Sequence, residues 1–91
     1  MTTARPRPPQ GLLPDAVQLN RRGNLRQLLQ QLQGDGIESF PLIDRLLGLE
    51  GGSTEVIQRG AYITDAMARE IEWSMNLPEG WLDRGPREPE I

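Results

Sequence analysis

Ala68-Arg69-Glu70-Ile71-Glu72-Trp73-Ser74-Met75-Asn76-Leu77-Pro78-Glu79-Gly80-Trp81-Leu82-Asp83 is the stretch on which the fold turns. Met67, Ala68, Ile71 and Met75 recur at the three- and four-residue spacing that lines one side of a helix. Thr64 offers the hydroxyl of an N-cap, and Asp65 puts a negative charge beside the helix's positive end. Asn76 suits the left-handed residue that ends a helix, and Pro78, with no N–H to donate, prevents its continuation. Leu77, Trp81 and Leu82 gather around Pro78-Glu79-Gly80, which predicts one further helical turn folded over the ends of the earlier helices. Trp81, framed by Leu77 and Leu82, is expected in the core.

The same reasoning extends upstream. Leu25, Leu28, Leu29 and Leu32 mark one face of a helix from about Asn20 to Gln33, and Gly34-Asp35-Gly36 breaks it. Pro14-Asp15-Ala16-Val17 is a fair helix opening that would move the start earlier, at the cost of running through Gly23, about 1 kcal/mol less favourable than alanine. Ser39-Phe40-Pro41 opens a second helix whose buried stripe is Ile43, Leu46 and Leu47, with Gly48 as a left-handed stop and Leu49 packing back. A third helix, Thr54 to Arg59, has only Val56 and Ile57 as strong apolar anchors, and Gly60 closes it. Nowhere do apolar and polar residues alternate over a β-branched run, so strands are not expected.

Composition narrows the function. The chain has 91 residues and contains neither cysteine nor histidine, which excludes disulfides, thiolate chemistry and the commonest neutral-pH acid/base group and metal ligand. Residues 1–14, with Arg5, Pro6, Arg7, Pro8 and Pro9, read as a disordered Pro/Arg-rich arm, and 85–91 as a disordered tail. The domain is therefore 15–84, of which roughly 65 residues can build a core. No apolar run reaches the roughly 20 residues of a membrane span, and no secretory signal pattern is visible, so a cytoplasmic location is expected. All ten basic side chains are arginine, and the net charge is −3. A DNA-binding reading must therefore rest on where the arginines lie, because their total does not favour it.

Ala68-Arg69-Glu70-Ile71-Glu72 followed by Asn76-Leu77-Pro78-Glu79-Gly80-Trp81-Leu82-Asp83 resembles the end of a lambda repressor-like (Cro/CI-type, XRE family) helix-turn-helix domain. Arg21-Arg22-Gly23-Asn24-Leu25-Arg26 resembles that family's first helix, and Leu47-Gly48-Leu49 the turn inside its helix pair. The resemblance implies an all-α, compact domain of four to five helices and a small dimeric transcriptional regulator whose third helix enters the major groove of double-stranded DNA. It places Gly51, Gly52, Ser53, Glu55, Gln58 and Arg59 on or near the reading surface. Gln58 suits adenine and Arg59 guanine, while Gly51 and Gly52 let backbone N–H groups at Ser53 approach a phosphate. Arg21, Arg22 and Arg26, with Arg5 and Arg7 on the arm, would add a positive edge.

This chain departs from the family at three places. Phe40 stands where the family has glutamine, and Asp44 where it has a small alanine beneath helix three, which predicts a looser helix pair. The connection from Gly34 to Ser39 is also longer than usual. Glu50, Glu55 and Asp44 are expected near the phosphates, where each carboxylate adds repulsion. The competing reading is a protein-interaction module on this fold that has lost DNA binding.

Trp73 falls outside the inner face of its helix, and a large exposed aromatic marks an interface, here of a homodimer; the alternative is that it folds onto the loop at Ile37. Any dimer would use this domain itself. Catalysis is not expected, because Ser39, Ser53 and Ser74 have no histidine to activate them and Asp65, Glu70 and Glu72 read as a solvated helix face. Gly51-Gly52-Ser53-Thr54 lacks the lysine and spacing of a nucleotide loop, and no cofactor or metal site is expected.

Overall fold

The computed structural model describes residues 14–85. Four α-helices, α1 (Pro14–Gly34), α2 (Phe40–Leu47), α3 (Ser53–Gln58) and α4 (Asp65–Ser74), are followed by a closing 3₁₀ turn, Trp81–Asp83; there is no strand among the described residues. Among the described residues no helix is long and apolar enough to cross a membrane. The readings of 1–13 and 86–91, including Arg5 and Arg7, lie outside the described residues.

Local chemistry accounts for most boundaries. Ser39 Oγ accepts the N–H of Leu42 to cap α2, and Thr64 Oγ1 accepts that of Met67 to cap α4. Gly48 ends α2 at φ 79°, with the Leu49 N–H returning to the Asp44 carbonyl at 2.8 Å. Glycine is required there twice over, since a β-carbon would also overlap Ser74 Oγ and lie 3.0 Å from Glu70 Cγ. Asn76 takes the left-handed position, φ 62°, after α4.

Two boundaries move. α1 begins at Pro14, upstream of Asn20 and inside the stretch assigned to the arm, and runs straight through Gly23. α3 is Ser53–Gln58, one residue earlier than expected at each end.

α1 packs on the closing turn, α2 on both α3 and α4, and α4 on the closing turn. Between them lie Leu25, Leu28, Leu29, Leu32, Ile43, Leu47, Ile57, Ile63, Ala68, Ile71 and Leu82, all buried. Phe40, Leu49, Met67, Leu77 and Trp81 pack half-buried against this core. Ile63 is fully buried, although it lies in the extended link before α4, where no periodicity could reveal it. Gln18 holds that link in place: its side-chain amide donates to the Ile63 carbonyl at 2.9 Å and accepts the Ile63 N–H at 2.8 Å. Leu46, by contrast, is 37% exposed and stands at the edge of the stripe expected to bury it.

Candidate functional site

The surface of interest is the outer side of α3, and it exists because polar groups hold the helix at both ends. α3 is only six residues long, buries only Thr54 and Ile57, and begins at Gly52, which has no side chain to cap it. Asp44 of α2 supplies the missing cap. Its Oδ2 accepts the Gly52 N–H at 2.8 Å, and its Oδ1 accepts the Thr54 N–H at 2.8 Å and the Thr54 hydroxyl at 2.5 Å. Two expectations are corrected here. Asp44 does not loosen the helix pair but ties it, and at 2% exposure it is not a surface charge facing phosphates. Phe40 likewise packs against the core as the first residue of α2.

The capping also removes a proposed phosphate site. The N–H groups of Gly52 and Thr54 are taken by Asp44, and that of Ser53 donates to the Glu50 carbonyl at 3.1 Å. An anion at this helix start would meet donors already satisfied, with a carboxylate behind them. At the other end of α3, Arg22 of α1 donates to the carbonyls of Ile57 and Ala61, so its guanidinium is a C-terminal clasp rather than a free positive edge.

Between these clasps the outer side of α3 carries Glu55, Val56, Gln58 and Arg59, all exposed, with Ser53 half-buried and Gly51 and Gly52 exposed beside them. Val56 was expected to anchor the helix and is instead 46% exposed, adding a methyl surface that could meet another apolar group. Arg26, Arg45, Arg59 and Arg84 are exposed and pair with no carboxylate among the described residues. Arg26 and Arg22 border the same cleft as Gln58, so part of the arginine set does gather beside α3. Glu50 and Glu55 are exposed in the same region of the chain.

Arg21 is elsewhere, and its expected place on a DNA-facing edge is corrected. It is 4% exposed and spends its guanidinium inside the protein. Nε donates to Asp83 Oδ1 at 2.6 Å, Nη1 to the Ile63 carbonyl at 2.7 Å, and Nη2 to Asp65 Oδ1 at 2.8 Å and Asp83 Oδ2 at 3.2 Å. Asn24, one turn along, donates to the Leu82 carbonyl at 2.8 Å. Asp83 is shared with Arg69, whose Nη2 lies 3.0 Å from Oδ2. Glu72 completes the cluster at 2% exposure, accepting the N–H groups of Gly80 at 2.9 Å and Leu82 at 2.8 Å. Glu72 is therefore the cap of the closing turn and not a solvated carboxylate. Its position is legible afterwards, since Ala68, Ile71, Glu72 and Met75 share one helix face.

The protonation states follow the geometry. The hydrogen bond to Asp83 raises the Arg21 pKa against the opposing effect of burial. Burial alone would raise the Asp83 pKa, but the hydrogen bonds from Arg21 and Arg69 outweigh it and hold the carboxyl below the usual aspartate range. A folded-state pKa below the unfolded one gives stability that is fully present above the unfolded value, near 3.9, and is lost as pH falls through the folded value. Thermal melts followed by circular dichroism below about pH 4 should show a steep acid fall in Tm, flattened in Asp83→Asn. Parallel acid limbs for the two proteins would mean that Asp83 is not the group that titrates.

Trp73 is 82% exposed, more than Leu19 or Tyr62 among the described residues, and does not fold onto the loop at Ile37, which packs against the core by itself. No family model, no curated protein and no solved structure matches the chain.

Proposed function

We propose that the protein is a small DNA-binding regulator of the lambda repressor-like helix-turn-helix kind, dimeric on duplex DNA, with α3 in the major groove. The observation that carries this reading is the manner in which α3 is held. Asp44 and Arg22 clasp its two ends from inside, so a six-residue helix with little apolar anchorage still presents Gln58 and Arg59 outward. Burial of Asp44 also removes one carboxylate from the repulsion that the acidic composition implies.

Within this reading the contacts come from side chains and not from the start of α3. Gln58 and Arg59 read base edges, Val56 meets a thymine methyl, and Arg26 contacts the backbone, while Arg21 and Arg22 act indirectly by placing α1 and α3. Fluorescence anisotropy against mixed-sequence duplex DNA across a salt series tests it, because phosphate contacts must make affinity fall with salt. Arg59→Ala is expected to weaken binding at least roughly fivefold with helicity unchanged. Equal affinity of wild type and variant would take the end of α3 off the reading surface.

A second reading is favoured by two observations. Trp73, 82% exposed on α4, together with a start of α3 closed to phosphate, fits a protein-interaction module. Absence of DNA binding even at low salt would select it.

A further inference from the structure

Ala66, Glu70 and Trp73 follow one another along α4 at four- and three-residue spacing, which sets them in one stripe, and all three are exposed. The stripe borders an open groove of about 390 Å³ between the first turns of α4 and the turn that follows α2. Its apolar lining is within reach of a ligand, since Leu49 and Met67 are only half-buried and Ala66 is exposed. Glu50 and Glu70 supply two exposed carboxylates. Among the described residues no arginine lines the groove, and neither glutamate is held in an ion pair. Trp73, one turn beyond Glu70 and 82% exposed, continues the apolar surface along the helix.

We propose that this groove is the docking site of the chain's own N-terminal segment, Arg5-Pro6-Arg7-Pro8-Pro9. The charges are complementary: residues 1–13 contain Arg5 and Arg7 and no carboxylate, and the groove offers Glu50 and Glu70 and no described cation. The apolar parts match as well. Pro6 and Pro9 are three residues apart, the spacing that turns prolines to one side of an extended polyproline helix. Segments of this kind bind grooves that present an exposed aromatic, because the proline ring has already fixed φ and little entropy remains to be lost. The attachment point is close. Gln18 bonds to Ile63 and Arg21 to Asp65, so the start of α1 runs beside the entry to α4, next to Ala66. Pro9 and Pro6 precede Pro14 by five and eight residues, roughly 15 and 25 Å of extended chain, whereas Ala66 to Trp73 spans only about 10 Å of helix. Exposed ion pairs are individually weak, and the tether makes up for this by holding the segment at an effective concentration that a free peptide would not reach. While docked, Arg5 and Arg7 are withheld from other anions, phosphates included. The groove and the segment are present in either functional reading, so the inference does not depend on DNA binding.

The test uses the full chain, which has no cysteine of its own, with a nitroxide spin label on Thr3→Cys and ¹H–¹⁵N NMR spectra as the readout. Line broadening is expected to concentrate on the amides of Leu49, Glu50, Ala66, Met67 and Glu70 and on the Trp73 indole. Reversing the segment's charge with Arg5→Glu and Arg7→Glu should lower the docked-to-free ratio roughly tenfold, as expected when two exposed ion pairs are lost. Adding Glu50→Arg and Glu70→Arg to that variant should restore the broadening. Spin-labelled chain mixed with unlabelled ¹⁵N chain should show none of it, since the segment docks on its own domain. Any of three results overturns the proposal: broadening spread evenly over the surface, broadening unchanged by charge reversal, or broadening between chains as strong as within one.

Discussion

Asp44→Ala is expected to lower the stability of the domain by about 3 kcal/mol, the sum of a lost helix cap and the desolvated donors it leaves behind. Asp44 is almost wholly buried, and three donors converge on it: the N–H groups of Gly52 and Thr54 and the Thr54 hydroxyl. Deleting the carboxylate strips α3 of its cap while its only buried residues are Thr54 and Ile57, too few to hold six residues in place. For a domain of this size that loss corresponds to a fall in Tm of roughly 15 °C. Asp44→Asn keeps one acceptor oxygen and should fall between wild type and alanine. Chemical denaturation monitored by circular dichroism separates this role from the one the sequence implied. A surface carboxylate repelling phosphates would leave the midpoint unchanged on removal and tighten DNA binding; a cap does the reverse. An unchanged midpoint in Asp44→Ala would end the capping account.

Arg21→Met should be of similar size, about 3 kcal/mol, because it removes the buried guanidinium's bonds to Asp83 and to the Ile63 carbonyl, leaving Asp83 with Arg69 alone and the carbonyl with Gln18 alone. Asp65 loses less, since its side chain is 89% exposed and water can replace the guanidinium. Methionine fills much of the volume, so the loss isolates the polar contacts from simple cavity formation. Lysine restores the charge but not the fork that reaches Asp83, Asp65 and the carbonyl together, and Arg21→Lys should recover only part of the stability. The distinguishing measurement pairs a thermal melt with DNA binding at a temperature where both proteins are folded. A lowered Tm with unaltered affinity is expected. Full stability with weakened affinity would put Arg21 back on a binding surface and displace it from the cluster with Asp83.

These two substitutions share a cause, and it explains which features the chain discloses locally. A buried charge is invisible to patterns that assume charges face water, and both Asp44 and Arg21 lie within helix faces that are otherwise apolar. Arg21 precedes Leu25 by one turn and Leu28 by two, on the face that carries the leucines; Asp44 sits between Ile43 and Leu47. Glu72 repeats the pattern on α4. A charged residue at a core position of a helix is thus the signal that could have identified all three, with the further expectation of a buried partner.

What the amino-acid sequence determined alone was the succession of helices and most of their ends. Ser39, Gly48, Thr64 and Asn76 act on backbone groups a few residues away, and the leucines of α1 recur at the helical period, so nothing distant is needed to read them. The exposure of Trp73 was legible for the same reason. Only the tertiary structure decided what the charges do. Arg21 meets Asp83 across 62 positions of chain, Gln18 meets Ile63 across 45, and Arg22 meets Ile57 across 35. Whether an arginine faces a phosphate or a carbonyl of its own chain depends on which segments the core brings beside it, because a guanidinium can donate to either acceptor.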